Sequence, residues 1–159
     1  MEFPTRLESL FPHWWPDNNN TDDPSNKNRA FARSDDGGAT WSELWYLADR
    51  QPQIQRFTAE CAHAFVSDPQ AGTLYWGHPG GPPDGHNRAN YTMQRSVDGG
   101  ASWEHLIQVG KPSGGAGYSD AHLLEDGTLG VVYQKTFDPP VRSIEGGGYD
   151  LALAIISGL

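Results

Sequence analysis

Two stretches of this 159-residue chain repeat one another, and that repetition constrains the fold more than any other feature. Asn28–Leu47 laid over Asn90–Val109, a shift of 62 residues, aligns Arg33 with Arg95, Ser34 with Ser96, Asp36 with Asp98 and Trp41 with Trp103. Gly37 and Gly38 fall on Gly99 and Gly100, and Leu44 falls on Leu106. A supersecondary unit that recurs at such spacing points to propeller blades or solenoid turns, because each copy buries its faces only against its neighbours. Composition agrees: 19 Gly and 12 Pro make up about a fifth of the chain, against roughly an eighth on average, which favours turns and short strands over a helical bundle.

The shared kernel is Ser34-Asp-Asp-Gly-Gly-Ala-Thr-Trp41 and Ser96-Val-Asp-Gly-Gly-Ala-Ser-Trp103. Each copy reads as a hairpin whose Gly-Gly pair takes positive φ without a Cβ clash. The carboxylate of Asp36 or Asp98 then accepts backbone N–H groups and locks the turn. Ser34 or Ser96 completes the local hydrogen bonds, and Trp41 or Trp103 is expected to bury its indole beneath the turn. A calcium loop would need more oxygen ligands at alternate positions.

From Arg29 onward, runs of Tyr, Trp, Phe, Val and Thr alternate with Gly, Pro and Asp clusters. This predicts strands near 29–34, 41–47, 57–66, 72–77, 89–96, 103–109, 117–124, 128–134 and 149–156. Residues 1–28, with Pro12, Pro16 and an Asp/Asn run, read as an irregular segment, part of which packs to cover Trp14 and Trp15. Residues 29–159 form the repeat-bearing part. The net charge of -9 and the absence of a Lys/Arg run argue against nucleic acid and anionic membrane surfaces. The longest apolar runs, such as 151–156, are strand-length, so no transmembrane segment is expected. The first residues lack a signal-peptide pattern, Cys61 is alone, and neither a metal nor a cofactor site is expected.

The kernels match S-x-D-x-G-x-[ST]-W, and in this the chain resembles the sialidase (neuraminidase) family with its bacterial-neuraminidase, or Asp-box, repeats. Further along, Arg88-Ala-Asn-Tyr-Thr92 is similar to the R-x-N-[LM]-T element that carries one arginine of that family's substrate-clamping triad. Gly117-Tyr-Ser-Asp120, then Leu123-Leu-Glu-Asp-Gly-Thr-Leu-Gly130 and Val131-Val-Tyr-Gln134, resembles the run that contains the family's nucleophilic tyrosine. The resemblance extends over residues 28–159. It implies an all-β fold, a partial six-bladed β-propeller of the sialidase type, with about two and a half blades of antiparallel sheet. Residues 29–47 would supply two closing strands of one blade, 57–109 a whole blade, and 117–156 three strands of the next. An open piece of this kind leaves blade faces unburied.

The same resemblance implies an exo-α-sialidase-like glycoside hydrolase that releases terminal sialic acid with retention from oligosaccharides, glycoproteins and glycolipids. A sialic acid carries a carboxylate on its anomeric carbon, so a neutral phenol approaches it with less repulsion than Asp or Glu would, and sialidases use tyrosine. That role falls on Tyr118, activated by a glutamate. Arg88 would hold the substrate carboxylate through paired guanidinium bonds. Ser34, Asp36, Gly38, Trp41, Ser96, Asp98, Gly100 and Trp103 would be structural. Family habit places such proteins in lysosomes or outside cells.

The sequence also departs from the pattern. Gln134 stands where the family has glutamate, the N-x-R motif is missing around Arg6, and the activating glutamate and acid/base aspartate are not recognisable. Arg33 and Arg95 read as strand-surface residues, and Glu60 and His63 stay unassigned. The stretch from His78 to His86 reads as a Gly/Pro rim loop, and Asn19 and Asn90 head glycosylation sequons. A non-catalytic Asp-box module that binds glycan or protein is the alternative function.

Overall fold

A computed structural model describes residues 6–10, 30–51, 63–80, 89–110, 116–136 and 149–159. Among them ten strands form three antiparallel sheets. The first joins β1 (Arg6–Leu10), β2 (Ala30–Ser34) and β3 (Trp45–Tyr46), followed by one helical turn, α1 (Leu47–Arg50). The second is a four-stranded meander of β4 (Ala64–Asp68), β5 (Thr73–Pro79), β6 (Tyr91–Ser96) and β7 (Glu104–Gln108). The third joins β8 (Ala116–Leu123), β9 (Leu129–Thr136) and β10 (Tyr149–Ile156). Sheets of three, four and three strands are the expected two and a half blades of an all-β propeller section.

Strand β1 was not expected. The stretch read as irregular pairs with β2 from Arg6 opposite Ser34 to Leu10 opposite Ala30, so the first sheet has three strands where two were predicted. Five residues without a strict apolar alternation gave no signal of their own; β2 supplies the edge on which they pair. The strand predicted over 41–47 shrinks to Trp45–Tyr46. Its early part is occupied by the turn, where the Ser42 N–H donates to the Arg33 carbonyl at 2.8 Å and the Arg33 N–H donates to Ser42 Oγ at 2.9 Å. The early part of the strand predicted over 57–66 lies outside the described residues.

The middle sheet holds the other two together because it is covered on both faces. Every residue of β5 is buried. On one face Tyr75, Tyr91 and Met93 meet Ala116, Leu129, Val131, Tyr133 and Ile156 of the third sheet. Tyr91 and Tyr133 stack there, with ring centroids 4.7 Å apart. On the other face Leu74, Trp76 and Trp103 meet Phe31 and Leu47. Gln51 ties the same two sheets, its amide donating to the Trp103 carbonyl at 3.0 Å and accepting from the Trp103 N–H at 2.9 Å. The outer face of the third sheet is open: Leu151 and Leu153 of β10 are 74% and 66% exposed.

The two Ser-Asp-Gly-Gly turns have nearly superimposable bonding. Ser34 Oγ–H donates to Asp36 Oδ1 at 2.8 Å and accepts from the Gly38 N–H at 2.7 Å. Asp36 also receives the Thr40 N–H at 2.8 Å and the Thr40 hydroxyl at 2.6 Å. The second copy repeats each bond with Ser96, Gly100, Asp98 and Ser102. Gly37 and Gly38 have φ of 72° and 94°, and Gly99 and Gly100 have 71° and 88°, so both glycines of each pair occupy the left-handed region. The Thr40 hydroxyl and N–H, with Ser34, pull the Asp36 carboxyl down to about 2. Burial raises that of Asp98, but the bonds from Ser102 and Ser96 outweigh it and hold it below the usual range.

The indoles differ, which corrects one expectation. Trp103 is buried, yet Trp41 is 40% exposed and lies along its own turn, its Nε1–H donating to the Gly38 carbonyl at 3.2 Å. Trp103 has Phe31 from the preceding sheet and Trp76 from its own, with ring centroids 6.3 and 5.6 Å away. Among the described residues no sheet precedes β1–β3, and Glu8 holds the register position opposite Ala32 that Trp76 holds opposite Gln94. Trp103→Ala is therefore expected to cost about 3–5 kcal/mol in chemical denaturation and Trp41→Ala under about 1.5. Equal losses would contradict the unequal packing.

Candidate functional site

The antiparallel turns sort the chemistry to two ends of the sheets. Both Ser-Asp-Gly-Gly turns follow the C-terminal ends of β2 and β6. At the opposite end lie the start of β4, the β5–β6 connection, the end of β7 and the start of β8. Hydrogen bonds tie these strand ends together. The Ala64 N–H donates to Ser119 Oγ at 3.0 Å, and the Val109 N–H donates to the Tyr91 carbonyl at 2.8 Å.

Tyr118 sits at this end, half exposed, on β8. The β8–β9 ladder slips there: Ala116 faces Lys135 and Ser119 faces Tyr133, so Gly117 and Tyr118 together stand opposite Gln134. This is a β-bulge, a device that bends a strand and re-aims a side chain. The Tyr118 N–H donates to Gln134 Oε1 at 3.3 Å. Gly117 lies close under that side chain: a Cβ on residue 117 would meet the oxygen at 2.5 Å and the Gln134 Cβ at 3.3 Å, so the Gln134 amide would have to shift. The structure thus brings Gln134 against Gly117 and Tyr118 from 16 residues beyond Tyr118 in sequence.

Arg88 lies outside the described residues, as do Glu60, Cys61 and the 81–88 part of the rim loop. The motif that follows Arg88 is described from Ala89 on, and it has a physical function. Asn90 adopts φ of 56°, and its carbonyl accepts the Gly80 N–H at 2.8 Å and the Thr92 hydroxyl at 2.9 Å. Asparagine tolerates the left-handed region better than most residues, so the Asn and Thr of R-x-N-x-T fix how the loop enters β6. The spacing alone carried no hint of that role.

Of the remaining residues, His63 and His78 stand at the same strand ends, just before β4 and at the end of β5, and the others fall elsewhere. His63 accepts the Trp76 indole N–H through Nδ1 at 2.9 Å and lies among Trp76 and His78 on the face toward the first sheet. His78 is buried, with Nδ1 3.0 Å from the Pro79 carbonyl. Arg6 pairs opposite Ser34, at the turn end, away from Tyr118. Arg33 and Arg95 are surface residues, ion-paired at 2.7 Å with Asp35 and Glu104 respectively. Ser34, Asp36, Gly38, Ser96, Asp98 and Gly100 hold the two turns. Among the described residues no three His, Cys, Asp or Glu side chains gather as metal ligands. Ser119 belongs to the Gly-Tyr-Ser-Asp run, but its bond with Ala64, 55 residues away, gave no sequence signal.

No family model and no curated protein matches this chain. Among solved structures it superposes on a leech intramolecular trans-sialidase with a TM-score of 0.53 and 20% identity, over 81% of this chain and 20% of that one. It superposes on a Hadza microbial sialidase with the same TM-score and identity, over 82% of this chain and 29% of that one. The chain therefore spans less than a third of the length of either neighbour. What it shares with them is the fold, a section of a sialidase-like β-propeller.

The strained residue at this end is open to test. Asn90→Gly should leave stability unchanged or slightly raised, whereas Asn90→Val should cost roughly 1–2 kcal/mol in urea unfolding, since a β-branched residue resists φ of 56°. A neutral valine substitution would contradict the left-handed turn.

Proposed function

We propose that this chain is a section of the catalytic propeller of an exo-α-sialidase-like glycoside hydrolase, acting on sialylated glycans, with Tyr118 as nucleophile and Arg88 as a substrate-carboxylate ligand. The observation that carries the proposal is the bulge. It presents the tyrosine of the Gly-Tyr-Ser-Asp motif, half exposed, at the end of the sheets away from the Ser-Asp-Gly-Gly turns, where loop ends from neighbouring sheets converge. The fold shared with two sialidases supports it, and one of those structures carries 2,7-anhydro-Neu5Ac prepared from 3'-sialyllactose.

In this reading the Tyr118 phenol gives its proton to a carboxylate base as its oxygen bonds to the anomeric carbon. The glycosidic oxygen leaves with a proton from a general acid. Water then attacks the same carbon from the face the leaving group vacated, the Tyr118 oxygen departs and regains a proton, and two inversions give net retention. The guanidinium of Arg88 offsets the substrate carboxylate throughout. Neither the base nor the acid is assigned to a residue of this chain.

The test is turnover of a fluorogenic sialoside by an assembled propeller containing this section. Tyr118→Phe should lower kcat by at least about a hundredfold with the circular dichroism unchanged. Arg88→Lys, which keeps the charge and loses the paired donors, should mainly raise KM. Unchanged turnover in Tyr118→Phe would defeat the nucleophile assignment and favour the non-catalytic binding module.

A further inference from the structure

We infer that Ser119 is the positioning residue for Tyr118: its hydroxyl, held by the Ala64 N–H of the neighbouring sheet, fixes the point from which the tyrosine is presented. The catalytic consequence rests on the reading of Tyr118 as nucleophile.

Among the described residues β4 is an edge of the middle sheet and β8 an edge of the third. Ala64, the first residue of β4, is buried, and a buried N–H needs an acceptor. It donates across to Ser119 Oγ of β8 at 3.0 Å. One hydroxyl thus joins the edges of two sheets that pair with each other nowhere else among the described residues.

Ser119 is also where the β8–β9 ladder resumes after the bulge, opposite Tyr133. Tyr133 is buried and stacks on Tyr91 of the middle sheet. On the far side of the bulge Ala116, opposite Lys135, is buried in the same core. Tyr118 therefore hangs between two anchored points, and Ser119 is the nearer of them. Side chains alternate along a strand, so Ser119 turns toward β4 while Tyr118, half exposed, turns to the opposite face.

A phenol at the end of a long side chain magnifies any rotation of its own backbone. A nucleophilic oxygen misplaced by about 1 Å can lose on the order of a hundredfold in rate. Without the Ser119 oxygen the Ala64 N–H loses this acceptor, the edges of β4 and β8 are freer to part, and the bulge can turn. Ser119 acts through Tyr118 and not on the substrate.

The experiment uses an assembled propeller containing this section, with fluorotyrosine placed at residue 118 for fluorine NMR and, separately, with the native tyrosine for sialoside turnover. Ser119→Ala should shift or broaden the fluorine resonance, lower kcat roughly ten- to a hundredfold and leave KM within about twofold. Ser119→Thr keeps the oxygen and should restore both readouts. Ser119→Cys, whose sulfur is a weak acceptor, repeats the first arm if the alanine variant does not fold. On the Tyr118→Phe background Ser119→Ala should lower the residual turnover no further. An unchanged fluorine resonance in Ser119→Ala, or a threonine variant as impaired as the alanine one, overturns the positioning role. Unchanged kcat in Ser119→Ala, or a further loss on the Tyr118→Phe background, overturns the catalytic consequence. The fluorine signal does not depend on what Tyr118 does: normal turnover in Tyr118→Phe beside a shifted signal in Ser119→Ala defeats the nucleophile assignment and leaves the positioning role standing.

Discussion

Strand β5 is buried along its whole length and on both faces, and the rest of the structure is arranged around that constraint. A strand with no solvated face needs a sheet on either side, and β5 finds one in the Phe31 and Leu47 layer and the other in the Tyr133, Leu129 and Val131 layer. Burying a side chain the size of Trp76 or Tyr91 contributes on the order of 1.5–3 kcal/mol or more. Losing either neighbouring sheet would expose several of them at once. The same logic, continued outward, leaves Leu151, Leu153 and Ile155 on an open face at the third sheet.

Stacking the sheets face to face also leaves them with two unlike ends. The Ser-Asp-Gly-Gly turns close one end, where each carboxylate is engaged by hydroxyl and backbone donors of its own turn. At the other end the ladder is less regular: Asn90 takes a left-handed conformation, Gly117 and Tyr118 bulge from β8, and the Ala64 N–H of edge strand β4 donates to the Ser119 hydroxyl of β8. Irregular backbone at one end of a well-packed sheet stack is where a binding site can be built without unpicking the core.

Much of this was legible in the sequence because the interactions are local. The two turns are complete within eight residues each, so the shift of 62 residues revealed both. The strands from Thr73 onward announced themselves by Tyr, Trp and Val runs between glycines. What could not be read depends on distant partners. Strand β1 exists because β2 offers it an edge, and Trp41 and Trp103 are identical in motif yet unequal in burial because, among the described residues, Trp103 alone has a neighbouring sheet to pack against. Gln134 looked like a plain departure from a family glutamate; only the slipped register of β8 shows that its oxygen meets the Tyr118 N–H.

The central claim is that Tyr118 is the atom donor to the anomeric carbon. It is tested most directly by incubating an assembled propeller containing this section with a fluorinated sialosyl fluoride, whose leaving group departs without help from a general acid and whose ring fluorine slows hydrolysis of the adduct. Peptide mass mapping should find one sialosyl group, located on Tyr118. A label on another residue, or no label at all, would contradict the account.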